Sequence, residues 1–167
     1  LIGIDGYDHL QQHAAQHMLS ATFEDVFGYK TVSFHLGKDI CSIDLDTKNL
    51  IREEASVIEQ RVNLVIQENR SIETKWVTKD ELSDYNLRKK LSVTENIRLV
   101  IIDQFDYNGC GGTHPDSTGQ IGALKILHWK KQRKKIRVYI VGGSRVFKQQ
   151  MVVFTLRMIM GYLKRIG

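Results

Sequence analysis

Two short motifs, far apart in the chain, constrain its fold more than any other feature. His13 and His17 form H-x-x-x-H in "QQHAAQH", and Cys110 and His114 form C-x-x-x-H in "CGGTH". Residues four apart on a helix lie on one face, about 6 Å apart along the axis, so the first two imidazoles converge on a common point. The second motif sits in "DYNGCGGTHPDSTG" (106–119), a turn-rich loop leaving a strand, where Gly109, Gly111 and Gly112 allow sharp bends. Each motif alone is weak evidence. Together they supply a thiolate and three imidazoles, a donor set that suits Zn2+. A fold that joins them must bring the first helix against the end of that strand. His9 shares roughly the same helical stripe and reads as a packing or supporting group. Ala14 stands where the H-E-x-x-H pattern has its glutamate base, which excludes a zincin protease. Spacing does not choose between a closed structural site and an open catalytic one.

The rest of the pattern predicts an α+β chain. Leu10, Ala14, Met18, Ala21 and Val26 recur at near-helical spacing from Asp8 to Phe27, and Gly28 follows as a stop. "KTVSFHLG" (30–37) and "DICSIDLD" (39–46) alternate as a hairpin around Gly37-Lys38. Residues 49–69 read as a long amphipathic helix with Leu50, Ala55, Ile58, Val62, Val65 and Ile66 on its buried face. Strands are expected at 71–78, 97–105, 120–129 and 134–142, the last two joined by the basic turn "KKQR" (130–133), with a polar, irregular "KDELSDYNLRKKL" at 79–91. A helix over 144–165 closes the chain. The expectation is one mostly antiparallel sheet of about five or six strands, packed by helices on one face. "MVVFTLRMIMGYL" (151–163) is apolar round most of its circumference. It is expected to pack on this sheet, on a second copy as a homodimer, or on a further domain.

Composition narrows the class. A formal charge of +5 over 167 residues and a pI near 9.2 favour a polyanionic partner, most simply nucleic acid. Lys130, Lys131, Arg133, Lys134 and Lys135 cluster at a hairpin tip, either as phosphate contacts or as a solvated end that blocks edge pairing. Two cysteines are too few for a disulfide scaffold and suit a reducing cytoplasm, with Cys41 read as a buried thiol. No apolar run approaches the ~20 residues that span a bilayer, so no membrane role is expected.

"DHLQQHAAQHMLSATFEDVFG" together with "CGGTHPDSTGQIGALKI" resembles the editing domain of alanyl-tRNA synthetases and the free-standing AlaX-type trans-editing proteins. These carry the second additional domain shared by threonyl- and alanyl-tRNA synthetases. The likeness covers roughly residues 5–147. It implies a zinc-binding, tRNA-editing-like domain over 1–147, followed by a C-terminal helix at 148–167 that leads toward a further domain. It implies hydrolysis of serine or glycine esterified to the alanine tRNA, with the acceptor end of tRNA as partner and Zn2+ as cofactor. His13, His17 and Cys110 map onto the family's zinc ligands, and His114 matches the last position of the motif. Gln16 and Thr113 are the polar neighbours expected to orient the aminoacyl end. Ala14 departs from the hydroxyl residue the family commonly has there. The glycine-rich barrel that precedes the domain in AlaX proteins has no counterpart here, and the chain opens on Leu1, so a fragment is expected. A zinc-stabilised tRNA-binding or structural module without catalysis is the alternative.

Overall fold

The computed structural model describes residues 3–88 and 96–166. In chain order the elements are α1 (Ile4–Phe27), β1 (Thr31–His35), β2 (Cys41–Leu45), α2 (Arg52–Gln67), β3 (Ile72–Val77), β4 (Ile97–Ile102), β5 (Asp106–Gly109), β6 (Leu124–Gln132), β7 (Lys135–Gly142) and α3 (Ser144–Ile166). Single 3-10 turns lie at Glu81–Asp84 and Thr118–Ile121. Residues 89–91 of the polar stretch read from the sequence at 79–91 lie outside the described residues.

The fold is α+β with two antiparallel sheets rather than one. The larger runs β1-β2-β7-β6 and the smaller β3-β4-β5. The additional strand is β5, whose Asp-Tyr-Asn-Gly sequence has turn composition. It pairs nonetheless, Leu99 opposite Gly109 and Val100 opposite Asn108, because the chain doubles back tightly after β4 with Gln104 at a φ of 49°. Pairing there is a tertiary effect that local propensity does not announce. The basic hairpin also shifts: Lys130 and Lys131 lie in β6, Lys135 in β7, and the turn itself is Arg133-Lys134, closed by the Gln132–Lys135 pair.

α1 ends at Gly28, whose φ of 70° is the left-handed conformation that glycine adopts without penalty. The N–H groups of Gly28 and Tyr29 donate to the carbonyls of Glu24 and Phe23 and close the last turn. Leu10, Ala14, Met18 and Ala21 are buried as their spacing predicts, and Ala15, Leu19 and Phe23 are buried with them. Burial also takes in Gln11, Gln12, His13, Gln16 and Thr22, so α1 is enclosed round much of its circumference. It packs against α2 and against β1, β2 and β7. α2 contributes Ala55, Ile58, Val62, Val65 and Ile66 to the same core. Its Asn63 bridges the N–H and C=O of Leu124, and Glu59 accepts from the N–H of Ile126. These contacts cover the start of the exposed edge of β6.

α3 corrects one expectation. Arg145 anchors its first turn through Asp8 and the Gly37 carbonyl. Beyond that the helix leaves the sheet, and Phe147, Met151, Phe154, Met158 and Leu163 are all exposed. Its apolar residues do not pack on this domain's own sheet. No described helix is long and apolar enough to cross a membrane.

Candidate metal centre

The position of His13 is fixed by its two predecessors. The Gln12 amide pairs with both backbone groups of Gly142 at the end of β7: its Nε2 donates to the carbonyl at 2.9 Å and its Oε1 accepts from the N–H at 2.8 Å. Gln11 donates to the Gln120 carbonyl and accepts from the N–H of Ser144. Buried amides satisfied in this way lock the rotation of α1 about its axis. His13 and His17 then face the end of β5, where the small sheet delivers Cys110.

On that side, Arg98 of β4 reaches along the loop. Its Nη1 donates to the carbonyls of Cys110 at 2.8 Å and Gly112 at 2.6 Å. The Gly112 N–H points at the Cys110 sulfur from 3.4 Å. Gly112 lies so close to α1 that a Cβ there would collide with the His13 ring.

The donor atoms of His13, His17, Cys110 and His114 all fall within 4.8 Å of one another. His17 Nε2 is 3.3 Å from His13 Nε2, Cys110 Sγ is 3.6 Å from His13 Nε2, and His114 Nε2 is 3.5 Å from Cys110 Sγ. A tetrahedral zinc with its usual bond lengths has ligand edges of about 3.3 Å between nitrogens and about 3.6 Å between nitrogen and sulfur. The four side chains therefore fit the ion in chemistry, and these three edges fit it in spacing. His13 Nδ1 is 3.3 Å from the Thr113 carbonyl, which takes its proton and leaves Nε2 as the donor. Burial, His13 and the cationic Arg98 hold His114 down at about 3, and burial likewise lowers His13. Both imidazoles are neutral at physiological pH, the form that binds a metal.

A cleft of about 290 Å³ opens beside this cluster, lined by His13, His17 and Cys110 together with Gln16, Glu24 and Arg88. Gln16 faces it, and its Nε2 donates to Ser20 Oγ at 2.9 Å. Thr113 contributes its carbonyl to His13, while the residue itself is exposed and does not line the cleft. His9 is exposed, its ring centroid 6.3 Å from that of His13, and it is not one of the clustered donors. Cys41 is buried in β2, also outside the cluster, and burial pushes its thiol up. The hairpin cations lie at the far end of β7 from Gly142, roughly 24 Å along the strand at its usual rise.

The sequence reading passed over Gln11, Gln12, Arg98 and Arg88. Arg88 forms part of the cleft wall between two carboxylates, Asp25 in a bidentate pair and Asp106 at 2.5 Å. For Gln11, Gln12 and Arg98 the signal was negative, polar residues within segments that must pack; Arg88, in the polar stretch at 79–91, had none.

Residues 97–139, which include Cys110 and His114, match the family described as threonyl and alanyl tRNA synthetase second additional domain. Over 146 residues, 85% of its length, the chain is 34% identical to an alanyl-tRNA editing protein, Aarsd1, of Rattus norvegicus. The chain matches an AlaX-type editing domain. The chain is also 30% identical over 152 residues to alanyl-tRNA editing protein AlaX-L of Pyrococcus horikoshii, and 31% identical over 153 residues to an alanine--tRNA ligase of Ignicoccus hospitalis. It spans 35%, 36% and 17% of those three proteins, about a third of the editing proteins and less of the ligase.

Proposed function

We propose that this chain is the zinc-dependent deacylase domain of a cytoplasmic tRNA-editing protein, hydrolysing serine or glycine esterified to the alanine tRNA. The observation that carries the reading is a His/His/Cys/His cluster with donors within 4.8 Å of one another, three of whose members line an open cleft. Bound there, the ion supplies Lewis-acid polarisation of a water or of the ester carbonyl. The protein's own residues do the rest. Neutral His13 and His114 are ready as ligands, and Arg98 holds the loop carbonyls so that Cys110 keeps its place. Gln16 offers an amide to the aminoacyl group from the cleft wall. Thr113 acts through its carbonyl, which orients His13. The apolar length of α3 is read as covered in the working protein by a further domain or a second copy.

The test is release of serine from serylated alanine tRNA by zinc-loaded protein, with alanylated tRNA as control. His17→Ala is expected to lower the rate at least a hundredfold. A zinc-loaded protein that hydrolyses neither substrate would end the deacylase reading. A second reading has one observation in its favour: a cluster of four protein donors is the habit of structural zinc. It predicts tRNA binding with no turnover.

For the acceptor stem, Lys130, Lys131, Arg133, Lys134 and Lys135 are proposed as phosphate contacts. Lys131→Ala/Lys134→Ala is expected to weaken tRNA binding at low salt and to flatten the log–log salt dependence by about two units, near one per lost contact. An unchanged slope would remove the hairpin from the interface.

A further inference from the structure

In the small sheet, three residues stand in one cross-strand row on the same face. Trp76 of β3 is the register partner of Arg98 of β4, and the Cys110 N–H in turn bonds to the Arg98 carbonyl. Directly opposed residues of antiparallel strands present their side chains on one side of the sheet. That side is the one facing the main core: Ile72, Val100 and Ile102 lie on it, whereas Val77, Ile97 and Leu99 pack on the opposite face. Trp76 therefore flanks the metal centre, about two strand spacings or roughly 10 Å from Cys110.

Two further facts make this row more than a surface tryptophan. Trp76 is 65% exposed, although the rest of its row is engaged with the metal loop. Arg98 commits only Nη1 to the protein, donating it to the carbonyls of Cys110 and Gly112; Nε and Nη2 have no hydrogen-bond partner among the described residues. An exposed indole, an adjacent guanidinium with spare donors and the candidate metal site thus lie in line. An aromatic plane accepts any base by stacking, and a guanidinium donates to ribose or phosphate oxygens.

We infer that Trp76 and Arg98 form a nucleoside subsite: the base of an RNA 3′-terminal adenosine stacks on Trp76, its ribose and phosphate oxygens meet Arg98, and its 3′-ester reaches the metal centre. This rests on the deacylase reading for its substrate. It adds the residues that would hold the nucleoside end and the direction in which the substrate lies. The order Trp76, Arg98, Cys110 matches base, sugar, ester.

The experiment uses the zinc-loaded chain carrying Trp129→Phe, so that Trp76 is the sole indole of the two in the sequence. Saturable quenching of its fluorescence by the trinucleotide CCA is expected, with weaker quenching by CCC. In steady-state deacylation, Trp76→Ala in the same background is expected to raise KM about tenfold, with kcat and zinc content unchanged. Trp76→Phe should restore most of the loss. Trp76 is exposed, so the variant is expected to fold. Turnover that proceeds with an unaltered KM in Trp76→Ala, or a fluorescence indifferent to CCA, overturns the subsite and leaves the deacylase reading intact. Protein that deacylates nothing removes that reading, and the quenching titration then decides the subsite by itself.

Discussion

Gly112→Ala is expected to lower zinc affinity on the order of a hundredfold, the upper end of what is lost when a group supporting a metal ligand is disturbed. The cause is steric and local. A Cβ on Gly112 would overlap Cε1 and Nδ1 of His13. Retreat of the imidazole is opposed by Phe34, parallel to it with centroids 6.0 Å apart, and by the Thr113 carbonyl, which holds Nδ1. Relief requires either a turned His13 or a displaced loop. Both open the 3.6 Å edge between His13 and Cys110. Chelator competition measures the loss, and in the cobalt-substituted protein the thiolate charge-transfer band should weaken with it. Gly111→Ala is the control: nothing lies within 4 Å of a Cβ there, so its affinity should match the wild type. A Gly112→Ala protein that holds zinc within threefold of wild type would show that the loop and α1 are not packed as described.

That pair of glycines shows what was legible in the sequence and what was not. Both motifs were readable because ligand spacing is local: four residues on a helix and four in a loop. Which glycine serves flexibility and which serves close approach depends on α1, so no local pattern separates Gly111 from Gly112. The buried face of α2 was readable because one side of it meets the core and the other meets water, leaving a clean period. α1 is enclosed more widely, and its buried Gln11 and Gln12 look like surface residues until Gly142, Gln120 and Ser144 are seen to take their hydrogen bonds. β5 was hidden by its turn-like composition. α3 misled in the other direction, since an apolar circumference says that a helix wants cover but not that this domain provides it.

Arg88 was the least legible residue, and its removal is expected to be the most costly to stability. Arg88→Met should destabilise the fold by about 3–5 kcal/mol, because it strips the cation from a carboxylate that has no access to water. Asp106 is 1% exposed and accepts from Arg88 Nε and from the Asn108 side chain. Burial already pushes the Asp106 carboxyl up, against the pull of Arg88. Without the guanidinium, burial and the neighbouring Asp25 charge are opposed by Asn108 alone, and the pKa should rise further. The sign of the pH dependence follows. A carboxyl whose folded pKa lies above its unfolded value binds more protons when folded. Its contribution to stability is therefore fully present below the unfolded pKa and is lost as pH rises through the folded one. The deficit of Arg88→Met should accordingly shrink as the solution is made acidic. Asp106→Asn in the same chain should recover much of it at neutral pH, because no buried charge is then left unpaired. Urea unfolding of the three variants at neutral and acid pH measures both effects. A deficit under 1 kcal/mol, or one that grows toward acid, would mean that Asp106 does not depend on Arg88, and that this wall of the cleft is held by other contacts.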